Sequence, residues 1–245
     1  MNINIPDEYK VNSKIPIKEF IPKFLKPEQK RRIRNSIMSV IITHQIAGQK
    51  IPSFVDENNR CEVIQFFDIE IGNMKDAPFV ANIYQAVIKS PCVIHFYDAV
   101  SESYSFGLKR LNRQDENEIV VEYAFITKPF SRVLPSSQKD ALLSAIAYEN
   151  IRCKVNKLSF YNEMFVKAYV VHNDTAYQKA FQLLNTNLWY DADKTVALYS
   201  AYKDLVSQKY MLSKSTTQAE KLPYNIKIKQ NIEILNNFLE EKLEA

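Results

Sequence analysis

Three carboxylates and one lysine have the types and spacing that fit metal-dependent cleavage of nucleic acid. Asp68 and Glu70 are two residues apart in the run EVIQFFDIEI, so on a strand they share one face. Asp98 ends the next predicted strand, and Lys109 lies on the strand after it. If these strands are neighbours, the four side chains converge as a nuclease site for divalent cations requires. The sequence has no Glu-x-Lys pair on a strand and no second acidic cluster, so a nuclease is the alternative interpretation.

The low glycine count excludes the common nucleotide-binding loops. Gly48, Gly72 and Gly107 are the only glycines. A Walker loop needs two glycines within one short loop, and a Rossmann fingerprint needs three. The chemistry of any NTP-driven system to which this protein belongs must therefore come from a partner.

The histidines and cysteines do not form a recognisable metal or catalytic pattern. His44, His95 and His172 are far apart in the sequence, and the three cysteines form no C-x-x-C pair. We expect His95 to be a buried, hydrogen-bonded side chain. We predict no metal and no cofactor. The absence of a catalytic motif favours a protein that is not an enzyme, although the sequence leaves that question open.

Basic residues are concentrated towards the N-terminal end. Residues 1–50 contain ten Lys or Arg and four Asp or Glu, whereas the whole chain has a formal net charge of +4. Cations at Lys30, Arg31, Arg32 and Arg34 crowd the first turns of a predicted helix that begins at Pro27. They oppose the helix macrodipole, which indicates an anionic partner such as DNA, RNA or an acidic protein face. A plain solvated helix face is the other interpretation.

The elements that position these residues predict an α+β protein. Residues 1–27 contain four prolines and are expected to be extended. The run EQKRRIRNSIMSVIITHQIA is predicted as one helix with an apolar stripe. A strand, a helix and three further strands follow, up to residue 126. We predict a mixed sheet with a parallel crossover between the first two of these strands and hairpins after it.

The second half of the sequence predicts helices. Segment 155–172 is ambiguous between strand and helix, and SKSTTQAEKLP reads as a polar linker before the last helix. We divide the chain into a mixed-sheet α/β domain (1–134), a mainly helical region (135–212), and a linker with an amphipathic helix (213–245).

The last helix has an apolar seam that is close to a short coiled coil. The seam either packs on its own domain or pairs with a partner, including a second copy of the chain. Its residues recur at steps of four, three, four and four: Ile228, Ile232, Leu235, Leu239 and Leu243.

Aromatic residues crowd residues 160–210. Rings of this kind stack on nucleobases and also suit protein–protein contacts. The segment is not basic enough to follow a phosphate backbone, so we expect most of these rings to pack between helices.

Three segments in this order resemble one known family. VNSKIPIKEF resembles the family's opening N-x-x-I-P-K-x-x-F element. EVIQFFDIEI followed by ANIYQAVIKSPCVIHFYDA resembles its strand, short helix and strand, and YNIKIKQNIEILNNFLEEKLE resembles its C-terminal helix. The chain is thus similar to the bacterial and archaeal domain-of-unknown-function family 4391 over residues 11–130 and 222–245.

The resemblance implies a context and no catalytic residues. Genes of that family often lie beside superfamily-two helicases and DNA methyltransferases, in loci that look like restriction or phage-defence systems. We therefore expect an accessory subunit of an antiviral-defence or restriction-modification complex, with a helicase or DNA methyltransferase as partner. The N-terminal residues show no secretory signal, and no apolar run reaches the roughly 20 residues of a membrane span, so we expect a cytoplasmic protein.

Overall fold

The structure, a computed structural model, describes residues 3–115 and 118–240. These residues form an α+β fold with a mixed sheet between two groups of helices, as the sequence predicts. The strands are β1 (Lys10–Lys14), β2 (Ile37–Ile46), β3 (Phe54–Val55), β4 (Arg60–Cys61), β5 (Ile64–Ile71), β6 (Cys92–Tyr97), β7 (Ser101–Leu111), β8 (Ile119–Ile126) and β9 (Phe130–Ser131). The α-helices are α1 (Ile17–Phe20), α2 (Pro27–Ser36), α3 (Ala77–Val87), α4 (Ser137–Ala145), α5 (Lys157–His172), α6 (Ala180–Leu183), α7 (Ala192–Lys214) and α8 (Gln218–Glu240).

The main sheet has the strand order β1-β2-β5-β6-β7-β8, with β9 beside β7. Strands β5 and β6 are parallel and are joined by α3, whereas the other neighbours are antiparallel. Strands β3 and β4 form a separate small hairpin. The predicted crossover and the hairpins after it are therefore confirmed.

The helix predicted from residue 28 to residue 47 is wrong in its second half. Helix α2 ends at Ser36, and the chain continues directly as β2. Strand β2 pairs with β1 on one side and with β5 on the other, so its backbone groups are bonded in both directions. The β-branched run from Val40 to Thr43 suits an extended chain. Sheet pairing therefore prevails over the helical spacing of the apolar residues.

Each face of the sheet has its own hydrophobic core. On one face, α1, α2 and α3 cover a layer that includes Ile69 and Phe96. On the other face, helices α4, α5, α7 and α8 cover a layer that includes Phe66 and Phe106. The mainly helical region and the last helix thus share a core with the sheet.

The ambiguous segment 155–172 forms helix α5, the central helix of the second core. Asn156 caps its N-terminus by accepting a hydrogen bond from the Ser159 amide at 2.8 Å. The Tyr161 hydroxyl contacts the sheet, where it lies 3.0 Å from the Cys92 carbonyl oxygen and 2.9 Å from that of Gly107. Most residues of α5 are buried, and a helix that is buried on nearly all sides lacks the one-sided apolar pattern that identifies helices in a sequence.

The predicted polar linker is mostly helical. Helix α7 continues to Lys214 and α8 already begins at Gln218, which leaves residues 215–217 between them. Pro223 lies near the start of α8 and removes one intrahelical hydrogen bond there. None of the helices in the described part of the chain combines the length and apolarity needed to cross a membrane.

Candidate functional site

A row of ionisable side chains crosses strands β5, β6 and β7 and reaches helix α4. Asp68 and His95 are direct neighbours in the parallel pairing of β5 and β6. The His95 Nδ1 atom lies 3.0 Å from Asp68 Oδ1, and its Nε2 atom lies 2.9 Å from Glu102 Oε2. Lys139 of α4 forms an ion pair with the other oxygen of Glu102. Four elements are therefore tied together by one charged network, which we call the His95 network.

The His95 ring is surrounded by acceptors. An ionised carboxylate accepts hydrogen bonds and cannot donate them. Burial opposes ionisation of Asp68 and Glu102, but hydrogen bonds from His95 outweigh it and lower the pKa of Asp68. Together with Lys139 and Tyr104, His95 lowers the pKa of Glu102 to about 2. Both carboxylates are therefore ionised at neutral pH, and each of them lies within hydrogen-bond distance of one nitrogen of the His95 ring.

Tyrosine rings enclose the His95 network. Tyr104 is buried, stacks on His95 with ring centroids 4.8 Å apart, and donates its hydroxyl hydrogen bond to Glu102 at 2.7 Å. Burial and the Glu102 charge raise the pKa of Tyr104, so it remains a neutral donor. Tyr97 also stacks on His95, at 5.3 Å. With both nitrogens engaged, His95 has no free site to take a proton from a substrate. The expectation of a buried, hydrogen-bonded histidine is confirmed.

The predicted nuclease carboxylates have separate structural roles. Asp68 belongs to the His95 network, whereas Glu70 is exposed and accepts a hydrogen bond from the Ser39 hydroxyl at 3.1 Å. Asp98 accepts hydrogen bonds from two backbone amides of the turn between β6 and β7, at 2.9 Å and 2.7 Å. Turn formation and side-chain pairing thus account for all three carboxylates.

Lys109 lies at the far end of strand β7 from the His95 network. It is seven residues beyond Glu102, which corresponds to about 23 Å along an extended strand. Its ammonium donates to the carbonyl oxygens of Ile88 at 2.6 Å and Ser90 at 2.9 Å. Among the described residues, no group of three or more His, Cys, Asp or Glu side chains is arranged to hold a metal ion. The structure does not bring Lys109 together with the three carboxylates.

The four cations of α2 differ in their surroundings. Arg32 binds Asp76 through Nε and Nη2, at 3.0 Å and 2.6 Å, and its guanidinium lies 4.0 Å from the centre of the Phe79 ring. Lys30 donates to the Lys23 carbonyl oxygen at 2.5 Å. Arg32 and Lys30 therefore fix the position of α2.

Arg31 and Arg34 are exposed on α2 and remain available. Neither side chain has a hydrogen-bond or ion-pair partner among residues 3–115 and 118–240. They are three positions apart, so they lie on the same side of the helix. This pair is the part of the predicted nucleic-acid site that can meet an anion without first breaking an internal contact.

The basic surface extends beyond α2 to lysines that the sequence interpretation did not single out. Residues 10–34 contain nine Lys or Arg and two Asp or Glu. Strand β1 lies at the edge of the sheet with all of its residues exposed. Its lysines and those around α1 are spaced three to five residues apart. This regular spacing is visible in the sequence and indicates a basic surface. The additional exposed lysines are Lys10, Lys14, Lys18, Lys23 and Lys26.

The apolar seam of α8 packs within its own chain. Leu235 is fully buried and Ile228 nearly so, and Ile232 and Leu239 are partly buried against the same core. Leu243 lies outside the described residues. The side chains that α8 exposes are others, among them Leu222 and Ile226.

Comparison with known proteins identifies a family and no characterised relative. The sequence model of a family described as a domain of unknown function, DUF4391, matches residues 3–234. No curated protein and no solved structure matches the chain.

Proposed function

The chain belongs to the DUF4391 family, and we propose that it is a partner-binding accessory subunit of a prokaryotic restriction or phage-defence complex that processes DNA. In this proposal it works in the cytoplasm beside a helicase or DNA methyltransferase subunit, and it contacts nucleic-acid phosphates through residues 10–34. The observation that carries the nucleic-acid contact is the pair of unengaged cations, Arg31 and Arg34, within this strongly basic and exposed segment.

Electrostatics supports a contact that is independent of base sequence. Lysine and arginine side chains without carboxylate partners attract phosphates, and each neutralised phosphate releases counterions. Residues 10–34 carry an excess of seven positive charges over a short stretch that includes an edge strand and the start of α2. Most protein–DNA hydrogen bonds go to phosphate and sugar, so we expect contacts to the backbone that position the protein.

The surroundings of the predicted nuclease residues support an accessory role. Asp68 is bound to the His95 ring, and Lys109 donates to backbone carbonyl oxygens at the other end of β7. A nuclease needs carboxylates that can bind a metal and approach the scissile phosphate together. No observation on these residues favours cleavage by this chain alone.

The nucleic-acid contact is tested by binding of the full chain to labelled single- and double-stranded DNA and to RNA. The double substitution Arg31→Glu/Arg34→Glu is expected to weaken binding. The matched control is Lys227→Glu/Lys229→Glu, which makes the same charge change at exposed positions of α8. Equal binding by the wild-type protein and the Arg31→Glu/Arg34→Glu protein would remove the proposed contact.

The accessory role is tested separately by co-purification with the helicase or DNA methyltransferase encoded in the same locus. We expect one of them to elute with this chain as a complex of fixed stoichiometry. If both elute apart from it at micromolar concentration, the partner half of the proposal is wrong.

A further inference from the structure

A polar cavity of about 600 Å³ opens between helices α4 and α5 and the segment from residue 181 to residue 190. Its volume lies within the range of about 300–1,000 Å³ that is usual for small-molecule sites. The cavity lies on the face of the sheet opposite to α2, because α4 and α5 cover one core and α2 covers the other. It is therefore separate from the basic surface of residues 10–34.

The cavity wall has one exposed cation, Arg152. The other charged side chain of the lining is Lys167, which is paired with a carboxylate behind the wall. Lys167 is buried and bonds to Glu163 at 2.6 Å and to the Asn150 carbonyl oxygen at 2.8 Å. These contacts account for two of its three N–H groups. Arg152 is exposed, and its backbone amide is fixed by the Glu163 carboxylate, at 3.0 Å and 2.9 Å.

Aromatic rings form the remaining wall and the rim. Trp189 is buried, and its indole N–H donates to the Leu183 carbonyl oxygen at 2.8 Å, which fixes the ring. Tyr190 and Phe181 lie at the rim, with 61% and 42% of their surface exposed. Large rings that stay exposed beside a polar cavity are suited to stacking on a planar ligand.

Amide and hydroxyl groups complete the lining. The side chains of Asn185 and Asn187 can each donate and accept hydrogen bonds, and Ser144 adds a hydroxyl. The Asn150 amide and the Thr186 hydroxyl also line the cavity, but they already donate to the carbonyl oxygens of Ser144 and Leu183. This combination matches the edge of a nucleobase, which also presents donors and acceptors side by side. The positive charge matches a phosphate, and the rim rings match the flat face of a base.

We propose that this cavity binds one nucleotide unit, with its base stacked on Tyr190 and Phe181 and its phosphate held by Arg152. The site goes beyond the proposed function, because it recognises a base and lies on the other side of the sheet. The ligand is either a free mononucleotide or an unpaired nucleotide of a single strand, and the two share the same chemistry.

The single tryptophan of the chain makes the site directly observable. Trp189 lines the cavity and is the only tryptophan in the sequence. We expect thymidine 5′-monophosphate, single-stranded oligothymidylate or both to change its fluorescence in a saturable way. Binding of the oligonucleotide alone assigns the site to a single strand, and binding of the mononucleotide assigns it to the free ligand. Thymidine is expected to bind more weakly, and inorganic phosphate at equal concentration is expected to give no response.

Two variants and one control make the test specific. Tyr190→Ala removes an exposed ring, and Arg152→Gln removes an exposed charge, so neither disturbs a core. Each is expected to weaken binding about fivefold or more, which is the lower limit found when a stacking ring or a charged hydrogen bond is removed. Tyr210→Ala is the control, because Tyr210 is 60% exposed on α7 and does not line the cavity.

Three results would overturn the proposal. They are the absence of a saturable change with either nucleotide probe, an equal affinity for inorganic phosphate, and unchanged affinity in both Tyr190→Ala and Arg152→Gln. The outcome is independent of the basic surface, because the Arg31→Glu/Arg34→Glu protein is expected to bind the mononucleotide normally.

Discussion

The imidazole Nε2 atom of His95 lies 2.9 Å from Oε2 of Glu102, on neighbouring strands of the sheet. This contact joins a parallel pair of strands to the antiparallel half of the sheet. Glu102 in turn forms the ion pair with Lys139, so the same carboxylate links the sheet to α4. Breaking this contact should therefore affect the stability of the fold and its dependence on pH.

Glu102→Gln is expected to lower the free energy of unfolding at pH 7 by about 3 kcal/mol, because it removes the charged partner of Lys139 from a buried network that also contacts His95 and Tyr104. The folded-state pKa of Glu102 is lowered from 4.5 to about 2. Its stabilising contribution is therefore complete above pH 4.5 and is lost as the pH falls towards 2. Urea denaturation between pH 7 and pH 2 should show a flatter pH dependence in the variant over this interval.

Glu70→Gln is the control for the Glu102 prediction. Glu70 is exposed and has a single hydrogen bond, with Ser39. We expect a change in the free energy of unfolding within about 0.5 kcal/mol. If Glu102→Gln behaved like Glu70→Gln, the charged network would not contribute to stability as described.

Gly107→Ala is expected to destabilise the protein by about 1–3 kcal/mol, because there is no space for a methyl group. A Cβ atom at this position would lie 2.7 Å from Oε1 of Gln85. Gln85 is buried and is held by a hydrogen bond to the Ser105 hydroxyl at 3.1 Å, so it cannot easily move away. Thermal or urea denaturation measures the effect.

Gly72→Ala is the control, at the residue that directly follows strand β5. The nearest atoms to its Cβ position are 3.8 Å and 3.9 Å away, which is ordinary van der Waals contact. Its effect should be small. Equal destabilisation by the two alanine substitutions would show that backbone freedom, and not the contact with Gln85, explains the glycine at position 107.

The pairing of β5, β6, β7 and β8 could be predicted from the sequence, whereas the boundary between α2 and β2 and the place of β1 and β2 in the sheet could not. The run from Ile64 to Ile71 has apolar residues on both sides, which is typical of an interior strand, and it lies between β2 and β6. Ile33, Ile37 and Val40 have a spacing that fits a helix, but all three are buried for different reasons, one on α2 and two on β2. Local spacing does not report the pairing with β1 and β5 that makes this segment a strand.

Leu235→Ala is expected to cost about 2–5 kcal/mol, because Leu235 is fully buried between α8 and the rest of the core. Ile226→Ala on the same helix should change the free energy of unfolding by less than about 0.5 kcal/mol, since Ile226 is 50% exposed. If the seam serves the fold of one chain, the unfolding midpoint does not depend on protein concentration. A midpoint that rises with concentration would contradict packing within one chain.

The sequence identifies several residues of the candidate sites, but it does not show which side chains they contact. It indicates that His95 is buried, but Glu102 and Lys139 join it only through strand pairing and the placement of α4. The sequence also places Arg32 and Arg34 in one basic group, although in the structure Asp76 pairs with Arg32 and not with Arg34. Contacts between residues on different strands and helices require the tertiary structure, and they decide which charges remain available.

The salt dependence of nucleic-acid binding by the Arg31→Glu/Arg34→Glu protein tests the central claim most directly. The affinity should fall. For double-stranded DNA, the plot of log binding constant against log salt concentration has a negative slope, and its magnitude should become smaller by about 0.9 for each lost phosphate contact, or about 1.8 for both. The Lys227→Glu/Lys229→Glu control should keep the wild-type affinity and slope. An affinity and slope equal to those of the wild-type protein in the Arg31→Glu/Arg34→Glu variant would contradict the claim that these two arginines contact nucleic-acid phosphates.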